Sequence, residues 1–149
     1  MGTAIGLKTV ELKAVVNRDL SLAEMISAGK YDWVNDDITA ERFPIKGGMV
    51  AETSFELVHL DRNIESDEAV EELAMHGLRP ADLAELIAFG AAFPEEQRQY
   101  PIVGLGSVAG LGSDRCVVYL DGNDSELNLF LSRWDVIWDA GYRFLAVRK

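Results

Sequence analysis

Two histidines, one cysteine, short acidic runs and a glycine cluster are the parts from which this 149-residue chain would build a reactive site. Gly104-Leu105-Gly106, with Gly110 and Gly112 beyond, invites a phosphate-binding loop. A Walker loop closes on Lys-Ser/Thr, and a dinucleotide fingerprint runs into a helix. Neither follows here, so the cluster reads as flexible loops between short strands. His59 falls on the apolar face of a strand pattern, and His76 stands beside Gly77 at a helix end. Zinc would need a third ligand at a recognisable spacing. No metal or other cofactor is therefore expected, and His76 is assigned to the helix C-terminus. Cys116 would need a base or a positive neighbourhood to become a nucleophile. Arg115 would point to the opposite face of a strand, so Cys116 reads as a buried structural residue. Asp36-Asp37 and the run Asp121-Gly122-Asn123-Asp124-Ser125-Glu126 lack the alternate-position spacing of a calcium loop. The second run reads as a hairpin turn, with calcium as the weaker alternative. Asp82 and Glu85 stand three apart at a helix start, where carboxylates are stabilised by the dipole. No catalytic residue is assigned.

A net charge of −11 disfavours contact with a nucleic-acid backbone, so no nucleic-acid partner is expected. The chain carries no apolar run long enough to span a bilayer and no recognisable signal peptide, so no membrane insertion is expected and localisation is left open. Its length suits a single domain, 1–149.

The elements that must position these residues follow from periodicity. Thr9 to Val16 alternates as a strand. Ser21 with Glu24 forms a capping box for a helix carrying Leu22, Met25 and Ile26, with Gly29 closing it in a left-handed conformation. Tyr31 to Lys46 is a connection too apolar to hang free, with Trp33, Val34, Ile38, Phe43 and Ile45 expected on the body. Gly47-Gly48 marks a turn, and Val50 to Leu60 alternates again. Ser66 or Asp67 caps a helix to about Met75, with Ala69, Val70, Leu73 and Ala74 inward and Gly77 closing it. Pro80 suits the first residue of a further helix, with Leu83, Leu86, Ile87 and Ala91 inward and Pro94 ending it. Ile102-Val103, Cys116 to Leu120, Leu127 to Leu131 and Phe144 to Arg148 are strands. Strands at both ends with helices between predict α+β, a mostly antiparallel sheet with two or three helices.

The C-terminal segment carries the more specific signal. Leu127-Asn128-Leu129-Phe130-Leu131-Ser132-Arg133-Trp134-Asp135-Val136-Ile137-Trp138-Asp139-Ala140-Gly141-Tyr142 runs into Arg143-Phe144-Leu145-Ala146-Val147-Arg148-Lys149. This stretch resembles the variable region of diversity-generating-retroelement variable proteins. Upstream, Gly77-Leu78-Arg79-Pro80-Ala81-Asp82-Leu83-Ala84-Glu85-Leu86 and Tyr100-Pro101-Ile102-Val103-Gly104-Leu105-Gly106-Ser107 resemble small proteins with the same ending. In that family, adenines of a template are miscopied, often in Asn codons of the form AAC. Such codons never yield Trp, Met, Lys, Glu or Gln. Trp134, Trp138, Glu126 and Lys149 would then be fixed. Phe130, Ser132, Arg133, Asp135, Val136, Ile137, Asp139, Ala140, Gly141 and Tyr142 would be open to variation.

The resemblance implies a C-type-lectin-like domain whose N-terminal strand, Thr9–Val16, pairs with Phe144–Arg148. It places a variable display region at about residues 109–142. It implies a non-catalytic protein that binds a protein or cell-surface ligand through those ten varied positions, and a homo-oligomer is among the states it allows. The sugar-binding motifs Glu-Pro-Asn and Trp-Asn-Asp are missing, so calcium-dependent sugar binding is not implied. A structural subunit or regulator of phage or mobile-element origin is the alternative, as is an enzyme sharing only the tail. On physical grounds Trp134 and Trp138 are expected to be more buried than Asp135, Val136, Ile137, Asp139 and Ala140, since large aromatics gain most on leaving water.

Overall fold

The computed structural model of the chain describes residues 8–45 and 50–149; the turn expected at Gly47-Gly48 lies outside them. β1 (Lys8–Asn17) pairs antiparallel with β3 (Val50–His59), from Lys8 opposite His59 to Asn17 opposite Val50. β10 (Arg143–Arg148) pairs with the other side of β3, Leu145 opposite Leu57. The first and last strands therefore share a sheet, but they are not neighbours as expected: β3 lies between them. Burial explains the order. β3 buries Phe55 and Leu57 on one face and Glu56 and Val58 on the other, so it belongs inside the sheet. β1 keeps Glu11 and Lys13 exposed on one face and suits an edge.

The sheet continues from β10 through β6 (Ile102–Leu111), β7 (Asp114–Gly122) and β8 (Leu127–Arg133) to β2 (Trp33–Val34), while β5 (Leu78–Pro80) also pairs with β10. β10 runs parallel to β6 and β2 parallel to β8; the other pairings are antiparallel. The fold is thus mixed α+β with a large, mostly antiparallel sheet. Four helices are described, one more than the upper expectation: α1 (Leu22–Ala28), α2 (Ser66–Met75), α3 (Leu83–Ala92) and α4 (Pro94–Gln99). Pro94 does end α3, yet it also opens α4, because a proline at a first helical position forfeits no intrahelical bond. None of these helices is long and apolar enough to cross a membrane.

Two cores result, one on each face of the sheet. Leu22 and Met25 of α1 and Leu83, Leu86, Ile87 and Phe89 of α3 pack with Ala14, Phe55, Ile102, Leu120, Leu129 and Leu145. On the other face, Ala69 and Leu73 of α2 pack with Val58, Val103, Phe144 and Trp138. A small second sheet, β4 (Ile64–Glu65) with β9 (Ile137–Trp138), belongs to this second layer.

Local chemistry accounts for several departures from expectation. The Ser21–Glu24 capping box is present, with Glu24 N–H donating to Ser21 Oγ at 3.1 Å. Gly29, however, stays right-handed, and Lys30 takes the left-handed conformation (φ 54°). Glu65 rather than Ser66 or Asp67 occupies the N-cap of α2, with its N–H donating to Glu68. Pro80 sits in β5 instead of starting α3; the cap is Asp82, whose side chain accepts from Glu85 N–H at 2.9 Å. Ala74 and Ala91 are exposed, and so is Trp33 at 48%, whereas Ile38 and Phe43 are buried as expected.

The glycine cluster is the largest departure. Gly104, Gly106 and Gly110 lie inside β6, and only Gly112 turns, with φ +64° in the hairpin to β7. Pairing with β7 is interrupted between Gly104 and Ala109. There the strand meets the β5–α3 connection instead: Gly106 N–H donates to Ala81 O at 2.8 Å, and Leu83 N–H donates to Ser107 Oγ at 2.8 Å. A Cβ on Gly106 would lie 2.5 Å from Ala81 O. Gly104 and Gly106 serve a close backbone approach rather than loop flexibility, whereas Gly110 has nothing within 4 Å of its Cβ position.

Candidate functional site

The ten positions singled out by resemblance start on β8 and end just before β10. β8 alternates its side chains between the two faces. Leu129 and Leu131 face the layer of α1 and α3, and period two puts the buried Leu127 on the same side. Asn128, Phe130 and Ser132 face the opposite way, with Phe130 in register with Tyr119 and Ser132 with Val117. Arg133, in register with Cys116, therefore points away from Phe130 and Ser132. It is one of the charges felt by the Cys116 thiol, together with Asp114, Asp37 and Arg42. One sheet face does not hold all ten residues.

Two anchors fix the segment that follows. Trp134 is 9% exposed and Trp138 2%, while Asp135, Ile137 and Asp139 are exposed and Val136 and Ala140 are intermediate. The order of burial is the one the sequence predicts. Its chemical basis is Ser66 in the first turn of α2. The Ser66 hydroxyl donates to Trp134 O at 2.8 Å and accepts from Trp138 Nε1 at 2.9 Å. Nothing in the sequence flagged Ser66 beyond a helix cap. His59 holds the next loop through a hydrogen bond between Nε2 and Ala140 O at 2.8 Å. Asp139 Oδ1 accepts from Gly141 N–H at 2.8 Å, closing a tight turn.

Between the anchors lies a half-open cleft of ≈ 250 Å³, lined by Glu65, Ser66, Asp67, Trp134, Asp135, Val136 and Ile137. Its rim is acidic. Arg115 approaches Asp135 at 3.5 Å and lies 5.4 Å from the Trp134 ring centre.

Beside the anchors runs a line of aromatic rings. Trp33 and Phe130 are 5.1 Å apart, Phe130 and Tyr119 5.5 Å, and Tyr119 and Tyr142 5.9 Å, with Trp138 behind at 5.0 Å from Tyr142. Such spacings are those of attractive tilted and edge-to-face pairs. The line is graded in burial: Trp33 is open to solvent, and Phe130, Tyr119 and Tyr142 are half-buried. Tyr119 was marked only by falling within the display region of about 109–142. Trp33 was not, because its contact depends on the parallel pairing of a two-residue strand.

Electrostatics around the rings are one-sided. Burial, then Tyr119, Asp139 and Asp121, push the Tyr142 phenol up to about 12. Burial and Asp121 also raise Tyr119, against a hydrogen bond from Tyr142. Both phenols are thus neutral near pH 7, suited to hydrogen bonding and not to nucleophilic attack. Burial, then Asp114 and Asp37, raise the Cys116 thiol, so it stays protonated in its strand. His76 Nδ1 lies 2.9 Å from Glu72 O, one turn back in α2. Among the described residues, no three His, Cys, Asp or Glu side chains are placed to hold a metal ion. Asn123 and Ser125 belong to the turn joining β7 to β8, where Asn123 Oδ1 accepts from Ser125 N–H at 2.8 Å.

No family model, curated protein or solved structure matches the chain.

Proposed function

We propose that the protein is a non-catalytic ligand-binding protein whose contact surface is the aromatic line Trp33–Phe130–Tyr119–Tyr142 with the adjoining loop 135–141. The observation that carries this reading is the pairing of a fixed base with open neighbours. Trp134 and Trp138 are locked to Ser66, while Asp135, Ile137, Asp139 and Gly141 extend into solvent. Paratopes use the same division, rigid aromatic contacts beside interchangeable ones. It is also what the resemblance to retroelement variable proteins and their C-type-lectin-like fold implies. Arg133 is left out of the surface because it faces the other side of the sheet.

The carboxylates of Asp121 and Asp139 beside the phenols favour a basic protein segment or surface group, since aromatic faces and carboxylates both attract cations. The test is selection from a random peptide library on the immobilised protein. Selected peptides are expected to be enriched in Arg and Lys. Their affinity is expected to fall at least about tenfold for Phe130→Ala or Tyr142→Ala, and to be unchanged for Arg133→Ala. Peptides that bind equally well to all three variants would overturn the assignment.

A further inference from the structure

We propose that the free edge of β1 docks a second copy of this chain, forming a two-fold antiparallel β1–β1 ladder centred on Leu12. Among the described residues, β1 is the end strand of the sheet and pairs only with β3. It is ten residues long, contains no proline and follows β3 without a register shift. Long regular edges are templates for another strand unless proline, a bulge or like charge blunts them. β1 has no proline and no bulge, and its charges Glu11 and Lys13 are opposite in sign.

The sequence of β1 is complementary to its own reverse. Pairing about Leu12 sets Glu11 opposite Lys13 of the second copy and Lys13 opposite its Glu11. Directly opposed residues in an antiparallel pair share a face, so both ion pairs form on the open face of the sheet. On the helix-covered face, Val10 falls opposite Ala14. Val10 is 53% exposed in the single copy, and Ala14 is small. Close by, an apolar groove is lined by Val15 and Asn17 of β1, Met25 of α1 and Ala84 and Ala88 of α3. A large apolar side chain beside a small one, next to an apolar groove, is the packing complement an added strand needs. The contact is isologous, so it closes at two copies rather than growing into a filament.

The experiment is sedimentation velocity on the full chain over a range of concentrations. The wild type is expected to dimerise. Lys13→Glu sets Glu against Glu twice, and Glu11→Lys sets Lys against Lys twice; each is expected to weaken the dimer about tenfold or more. The double variant Glu11→Lys/Lys13→Glu restores opposite charges and is expected to restore the dimer. Circular dichroism confirms that each variant folds, and hydrogen exchange gives an independent measure: amides of Val10 to Val15 should become more protected as wild-type concentration rises. A monomeric wild type, as when the chain's own N-terminal residues cover the edge, overturns the proposal. So does a dimer indifferent to the single charge reversals, or one that the double variant fails to recover.

Discussion

Trp138 Nε1 donates to the hydroxyl of Ser66 across 72 positions of sequence, at 2.9 Å and with both residues almost fully buried. The same hydroxyl donates to the Trp134 carbonyl. One oxygen thereby ties the first turn of α2 to both ends of the segment 134–138. Ser66→Ala removes both bonds and leaves a buried indole N–H without a partner. It is expected to destabilise the fold by about 2–4 kcal/mol, one to two such penalties. Trp138→Ala, which also empties core volume, is expected to cost about 3–5 kcal/mol. Chemical denaturation of the two variants measures this. A Ser66→Ala protein as stable as wild type would remove the anchor.

Gly106 and Gly110 stand four apart in one strand and are expected to respond oppositely to alanine. A Cβ on Gly106 would meet Ala81 O at 2.5 Å, a backbone atom that cannot swing away. Gly106→Ala is expected to cost about 1–3 kcal/mol. Gly110 has nothing within 4 Å of its Cβ position. Gly110→Ala is expected to be neutral or to stabilise by up to about 1 kcal/mol, through a less flexible unfolded chain. Equal effects at the two positions would contradict the close approach of β6 to the β5–α3 connection.

These two glycines also show where the sequence was legible and where it was not. Local rules located elements better than they placed caps. The left-handed residue after α1 is Lys30 and not Gly29, and the cap of α2 is Glu65. Alternation did locate β1 and β3, and the Ser21–Glu24 spacing located the start of α1. Each depends on residues a few positions apart. Gly104-Leu105-Gly106 was misread as loop because its reason is 25 residues away, at Ala81. Pro80 was misread for a similar cause, since its pairing opposite Ala146 makes it part of a strand. The neighbour relation of β1 and β10 failed because the burial of β3 on both faces depends on which layers cover it. At the site, alternation along β8 separates Arg133 from Phe130, and that separation was available from period two alone. The contact of Trp33 with Phe130 was not.

The Glu85 carboxylate supplies a pH signature. Burial alone would raise it, but the Arg79 guanidinium, with bonds of 2.9 and 2.8 Å, the Asp82 N–H and Arg18 outweigh burial and hold it below the ordinary carboxylate range. A carboxyl depressed on folding contributes stability in full above its unfolded value, and loses it as pH falls through the folded one. Glu85→Gln is expected to cost about 1–3 kcal/mol at pH 7. The gap from wild type should narrow as pH falls from the ordinary carboxylate range, where the unfolded side chain begins to take up a proton, through the lower folded value. A gap that stays constant down to acid pH would show that Glu85 acts through shape and not charge.

The central claim, that an interchangeable surface rides on a fixed base, is tested most directly by a library. Ser132, Asp135, Ile137, Asp139, Ala140 and Gly141 are randomised together, with Ser66, Trp134 and Trp138 kept, and members are scored for soluble, cooperatively folding protein. Surface positions away from buried contacts usually shift stability by only about 0.5 kcal/mol each. Most members are therefore expected to fold. A matched library at Val103, Val117, Leu129 and Phe144, all buried in the sheet, should fail for most members. If the first library unfolds as often as the second, residues 132–141 belong to the core, and the surface assigned to ligand binding does not exist.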